Sequence, residues 1–229
     1  MAKREVDKDN VAVVSGIGCS SRAAGYADFN TLHTTHGRAI AFATGMKLAR
    51  PDMKVIVLTG DGDCTAIGGN HFIHAARRNL DLTVIVFNNN IYGMTSGQYS
   101  PLTPHDHLAT TAPYGNNDYP FDLRTLAEGA GATFVARGAA AGPKQLETII
   151  GKGLDHKGFS VIEAISQCPT YYGRKNKLGS AVDMLKYQKQ STSTREEPGK
   201  IPLGVFVHQE RPEFSQTYFQ RAQSLETEG

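Results

Sequence analysis

The chain has 229 residues, 40% of them hydrophobic and 20% charged, enough to bury a substantial core and too apolar for a disordered segment. Its 24 Lys and Arg against 22 Asp and Glu leave a net charge of +2, far from the basic footprint of a nucleic-acid binder. No apolar run approaches a membrane span, the first residues are charged rather than signal-like, and three cysteines argue against a disulfide scaffold, so a reducing, cytoplasmic setting is expected.

In chain order, Ala2 to Val6 reads as the last turn of a helix, which predicts a domain that has lost something upstream. Buried strands are predicted at Val11–Ser15, Lys54–Thr59, Thr83–Asn88, Ala132–Arg137 and Ser160–Ile165, each a short run rich in Val and Ile. Between them, Gly37–Ala49, Gly68–Asn79, Phe121–Gly129 and Pro143–Leu154 carry apolar residues three and four apart, the period of amphipathic helices. Strand and helix alternating in this way predict an α/β fold: a parallel sheet with helices on both faces. Gly93 to Pro120 holds four prolines and three tyrosines and predicts a long loop that serves a site or an interface. From about residue 170 the chain turns polar. The predicted division is an α/β domain over 1–169 and a polar arm or frayed tail over 170–229.

Chemistry concentrates at two strand ends. Gly60-Asp61-Gly62-Asp63 follows the strand ending at Thr59, and 25 residues separate Gly62 from Asn88-Asn89-Asn90. A right-handed crossover through the intervening helix makes the two strands parallel, so their carboxyl ends emerge at one sheet edge, where open parallel sheets bind ligands. Neighbouring strands lie about 5 Å apart, so Asp61 and Asn89 can converge on one point. A carboxylate and an amide oxygen, joined by the Ile91 carbonyl, suit magnesium, with phosphate oxygens and water completing its octahedron. The plainer alternative is two unrelated turns, each merely ending a strand.

Gly-Asp-Gly followed at this distance by Asn-Asn resembles the thiamine diphosphate signature. Gly16-Ile17-Gly18-Cys19-Ser20-Ser21-Arg22, Thr35-His36-Gly37-Arg38-Ala39, Ile91-Tyr92-Gly93-Met94-Thr95-Ser96-Gly97-Gln98 and Cys168-Pro169-Thr170 narrow the likeness. In this order they resemble the beta subunit of 2-oxoacid:ferredoxin oxidoreductases, over residues 10–170 and more loosely through Ile201 to Phe214. The resemblance implies oxidative decarboxylation of a 2-oxoacid with coenzyme A, giving an acyl-CoA and carbon dioxide and sending electrons to ferredoxin. It implies thiamine diphosphate and Mg2+ as cofactors, with Asp61, Asn89 and the Ile91 carbonyl on the metal. Ile17, Gly18, Cys19, Ser20, His36, Gly62, Asp63, Gly93, Met94 and Thr95 would line the cofactor, His36 being also a catalytic candidate.

The activating Glu and the pyrimidine domain would come from a partner alpha subunit, placing the active site at a subunit interface. Arg22 is the candidate for gripping a substrate carboxylate, and the branch most resembled is that of 2-oxoglutarate. The family's [4Fe–4S] cluster needs four thiolates; Cys19 and Cys168 match two, and the other pair is missing here, so a stable cluster is not expected. The alternatives are a non-oxidative thiamine diphosphate-dependent decarboxylase or synthase subunit, and a non-catalytic remnant.

Overall fold

The computed structural model describes residues 6–227; the helix end predicted at Ala2 to Val6 lies, but for Val6, outside them. The elements in order are β1 Val11–Ser15, β2 Asn30–His33, α1 Ala39–Ala49, β3 Lys54–Gly60, α2 Gly69–Arg77, β4 Thr83–Asn88, α3 Leu123–Gly129, β5 Phe134–Ala139, α4 Pro143–Asp155, β6 Ser160–Ile165, α5 Ala181–Ser191, a short pair β7 Thr192–Ser193 and β8 Ile201–Pro202, β9 Gly204–His208 and α6 Phe214–Thr227. Seven strands form one sheet in the order β2-β1-β3-β4-β6-β5-β9. The first six are mutually parallel, and β9 pairs antiparallel with β5.

The apolar runs make these strands because both faces of the sheet are covered. Val55 and Val57 of β3 and Val84 and Val86 of β4 point to one side, where they meet Phe72 and Ala75 of α2. Their alternates Ile56, Leu58 and Ile85 point to the other, against Ile149 and Leu154 of α4. The predicted strands and helices are all present. Ala132–Arg137 is the least accurate, the strand running two residues later, because the turn at Ala130 and Gly131 is followed by an irregular Ala132 and a bend at Thr133 before the strand begins. Helix α2 is preceded by a π-helical turn at Asp63–Ile67, so the chain is helical almost directly after Asp61.

Two departures stand out. The edge strand β2 has all four residues exposed, and without a buried face it carries no apolar pattern to read. The polar stretch after residue 170, expected to be an arm on a partner or a frayed tail, is instead built into this chain. Helix α5 is started by a reciprocal Ser180–Asp183 capping box, and Val205 and Val207 of β9 pair with Ala136 and Val135 of β5, closing that edge of the sheet. Gly93 to Pro120 is a loop, as expected, and it is well tied. Asn176 donates to the Leu108 carbonyl and accepts from the Leu108 N–H, and the Tyr172 hydroxyl meets His107 Nδ1 at 2.6 Å.

Candidate active site

β3 and β4 are neighbours, with Gly60 opposite Phe87, so the turns that follow them share one end of the sheet. Together with the turn after β1 they enclose a cleft of about 440 Å³. Ile17, Gly18, Cys19 and Ser20 line one wall. Asp61, Gly62 and Asp63 lie at the β3 end, and Asn89, Ile91, Gly93, Met94 and Thr95 at the β4 end, with His36 alongside. Every residue expected at the thiamine diphosphate or the magnesium therefore borders a single cleft, while Cys168, expected with Cys19 at an iron–sulfur cluster, does not line it. Nor does Arg22; it lies on the 3₁₀ helix Ser20–Tyr26, exposed, with its guanidinium donating to the Tyr26 hydroxyl at 2.9 Å. Gly60, Phe87, Tyr92 and Gln98 also line the cleft; none is expected there from the sequence, although Gly60 opens the Gly60 to Asp63 motif and Tyr92 and Gln98 lie inside the Ile91 to Gln98 motif.

Asp61 and Asp63 are both 3% exposed, and their surroundings differ. Asp63 accepts from the Thr59 hydroxyl at 2.6 Å and from the Gly37 N–H at 2.7 Å, and its Oδ1 lies 2.7 Å from His36 Nδ1, close but off the hydrogen-bond axis. Asp63 thus spends its carboxylate on holding the His36–Gly37 loop against the end of β3. Among the described residues Asp61 has no cationic partner. Burial pushes its carboxyl up to about 7, opposed by the Ser100 hydroxyl, which donates to Oδ2 at 2.6 Å, and by backbone N–H groups.

The three asparagines at the end of β4 have separate tasks. Asn88 Nδ2 donates to Glu163 at 2.7 Å while its Oδ1 accepts from the Asn90 N–H, and Asn89 Oδ1 accepts from the Ile91 N–H at 3.2 Å. Asn90 adopts a left-handed backbone (φ 61°), a conformation that asparagine tolerates better than most residues, and this turns the chain sharply towards Ile91. The Tyr92 hydroxyl donates to the Gly62 carbonyl at 3.0 Å, tying the two turns together. Any Cβ at position 62 would overlap the Tyr92 ring, so the glycine is required by this packing as well as by the open approach to the cleft.

Cys19 and Cys168 meet over Gly93. A Cβ at that position would lie 3.1 Å from one sulfur and 3.3 Å from the other. Burial, and then the neighbouring Cys168, raise the Cys19 thiol above its usual range. Cys64 is buried apart, its thiol pushed up by burial and by Asp63 and Asp61. Among the described residues no three His, Cys, Asp or Glu side chains gather at a point that could hold a metal. Two thiols do not fit a cubane cluster. A hard cation fits better: among the described residues Asp61 is a buried carboxylate without a counter-charge beside an amide-rich turn, and the buried Ser20 hydroxyl has no hydrogen-bond partner, as expected where phosphate oxygens belong.

Residues 16–164 match the thiamine pyrophosphate enzyme family, in its C-terminal TPP binding domain. The chain is 57% identical over 217 residues to a 2-oxoglutarate synthase subunit KorB of Methanothermobacter marburgensis, covering 91% of this chain and 76% of that one. It is 53% identical over 232 residues to the subunit of the same name in Methanocaldococcus jannaschii, covering 97% and 86%. A solved 2-oxoglutarate:ferredoxin oxidoreductase from Magnetococcus marinus, with 2-oxoglutarate, coenzyme A and succinyl-CoA bound, superimposes with a TM-score of 0.89 at 35% identity, over 98% of this chain and 80% of that one. The chain belongs to the thiamine pyrophosphate enzymes, among the beta subunits of the 2-oxoacid:ferredoxin oxidoreductases.

Proposed function

We propose that the cleft takes the diphosphate of thiamine diphosphate through a magnesium ion held by the Asp61 carboxylate, the Asn89 amide oxygen and the Ile91 carbonyl. The observation that carries this reading is the pairing of a buried carboxylate, free of any cation among the described residues, with an amide turn on the neighbouring strand, both opening onto one cleft. Three protein oxygens leave magnesium room for phosphate and water, the mixture it favours. Gly62, Gly93, Met94 and Thr95 border the cofactor on one side, and Ile17, Gly18, Cys19 and Ser20 on the other. When bound, the cofactor supplies the electron sink for decarboxylation of a 2-oxoacid.

The rest falls to this chain's side chains and its partner. His36, on the loop that Asp63 holds through the Gly37 N–H, offers its imidazole for a proton or hydrogen bond at the cleft wall. Arg22 lies two residues beyond the cleft-lining Ser20, and its planar guanidinium suits a substrate carboxylate once the Tyr26 contact is given up. The partner alpha subunit brings the pyrimidine domain and the activating Glu. Substrates are 2-oxoglutarate and coenzyme A, as the names of the archaeal relatives and of the Magnetococcus enzyme suggest, and ferredoxin takes the electrons. Cys19 and Cys168 offer two of the four thiolates of an iron–sulfur cluster, and as free thiols they suit a reducing cytoplasm.

The test is ferredoxin or viologen reduction by the chain assembled with its partner subunit, once the second pair of cluster cysteines that the sequence lacks has been supplied. The expected result is coenzyme A- and magnesium-dependent reduction, faster with 2-oxoglutarate than with pyruvate. Preference for another 2-oxoacid would overturn the substrate, and thiamine diphosphate binding that ignores magnesium would overturn the metal assignment.

A further inference from the structure

Ser100 and Thr103 are 1% and 0% exposed, yet they belong to a loop with no helix or strand of its own. Hydroxyls buried so deeply are hydrogen-bonded for a reason, and here the partners are specific. Ser100 Oγ donates to Asp61 Oδ2 at 2.6 Å. Thr103 Oγ1 donates to the Asn90 carbonyl at 2.5 Å and accepts from the Ser100 N–H at 2.8 Å. Buried Asn116 anchors the pair from behind, its amide donating to the Thr103 carbonyl at 2.8 Å. One side of this short Ser100-Pro101-Leu102-Thr103 segment grips the turn after β3, and the other grips the turn after β4.

We infer that Ser100 and Thr103 are positioning residues of the magnesium–diphosphate site, an inference that rests on the assignment of Asp61 and Asn89 proposed above. Magnesium demands near-ideal octahedral geometry, so the spacing and rotation of its ligands must be set before it arrives. Thr103 fixes the Asn89–Ile91 turn through the carbonyl of Asn90, and Ser100 fixes the rotation of the Asp61 carboxylate through Oδ2. The Ser100 N–H, donating to Thr103 Oγ1, locks the two settings together. A hydroxyl is the right donor for this task. Lysine or arginine in place of Ser100 would neutralise Asp61 and compete with the ion, whereas serine orients the carboxylate and leaves its full charge for the metal.

Thiamine diphosphate binding, followed by equilibrium dialysis across a magnesium titration, tests this with the full chain assembled with its partner subunit. Ser100→Ala is expected to raise the magnesium concentration for half-saturation about 10-fold, the range found for outer-shell partners of metal ligands, with full binding capacity at saturating magnesium. Thr103→Val is expected to shift it in the same direction, and Ser100→Thr, which keeps the hydroxyl, to restore the native dependence. An unchanged magnesium dependence in a folded Ser100→Ala protein overturns the inference. So does a loss of capacity that no magnesium restores, since that marks a merely structural role. Should Ser100→Ala fail to fold, the nearly isosteric Ser100→Cys, a much weaker donor, carries the same expectation, and an unchanged dependence there overturns it. Asp61→Ala separates the two levels. If it abolishes magnesium-dependent binding while Ser100→Ala changes nothing, only the clamp falls; if it too changes nothing, the metal assignment falls with it.

Discussion

Each end of the sheet holds an aspartate largely away from solvent, Asp61 buried and Asp81 partly so, and the two are treated in opposite ways. At the end away from the cleft, Asp81 just before β4 lies 2.7 Å from Lys47 of α1, itself only 2% exposed, and 3.6 Å from Lys157. The Gly158 N–H adds a further bond, and Lys47 also donates to the Met53 carbonyl. Burial pushes the Asp81 carboxyl up, but the Lys47 bond and charge, with Gly158, outweigh it and hold the group below its usual range. At the cleft end, Asp61 has a serine hydroxyl where Asp81 has lysine, and burial carries it up to about 7. Charge satisfied inside the chain serves stability, and charge left unsatisfied serves a ligand.

Substitutions at each end should therefore separate binding from folding. The largest effect is expected at Asp61. Asp61→Ala should weaken magnesium-dependent thiamine diphosphate binding about 1000-fold, a decade beyond the 10–100-fold typical of outer partners, with the melting temperature of the cofactor-free protein unchanged or raised. A fall in melting temperature would mean that Asp61 holds the fold together and would erase the contrast. Lys47→Met should do the reverse. Leaving Asp81 without its principal partner is expected to cost about 3 kcal/mol, roughly 10 °C in a chain of this size, with cofactor affinity of the folded protein unaltered. Asp63→Asn sharpens the contrast within the cleft end itself. It should cost about 2 kcal/mol through the bonds to Thr59 and Gly37 and disturb His36, so calorimetry should show lost stability while magnesium affinity moves little.

How far the sequence anticipated this depends on burial. Val11–Ser15, Thr83–Asn88 and Ser160–Ile165 are legible to the residue because both faces of each strand are covered, which writes a continuous apolar run. The edge strand Asn30–His33 writes none, and β9 is masked by the polar residues around it. In the proposed site, Asp61, Asn89 and Ile91 follow directly from strand ends and parallel topology. Ser100 does not, because its contact with Asp61 spans 39 positions and depends on how an irregular loop packs, for which no periodicity exists. Arg22 was placed by a motif, and the motif says nothing of which way a 3₁₀ helix turns the side chain.

The smallest effect, and the one that tests the sign of the contrast, is pH-dependent. Asp81 has a folded-state pKa below its unfolded value of about 3.9, so the folded protein binds this proton less readily than the unfolded chain. Its contribution to stability is therefore complete above the unfolded pKa and is lost as the pH falls through the folded one. Each unit of depression is worth about 1.4 kcal/mol. Asp81→Asn keeps the shape and removes the charge, so the wild type should melt higher than the variant at pH 7. That gap should begin to close below about pH 5 and vanish in strong acid. A gap of constant size from pH 7 to pH 3 would show that the pair acts through hydrogen bonding alone. One that widened in acid would mean that burial, rather than Lys47, governs Asp81, leaving both ends of the sheet with acids of the same kind.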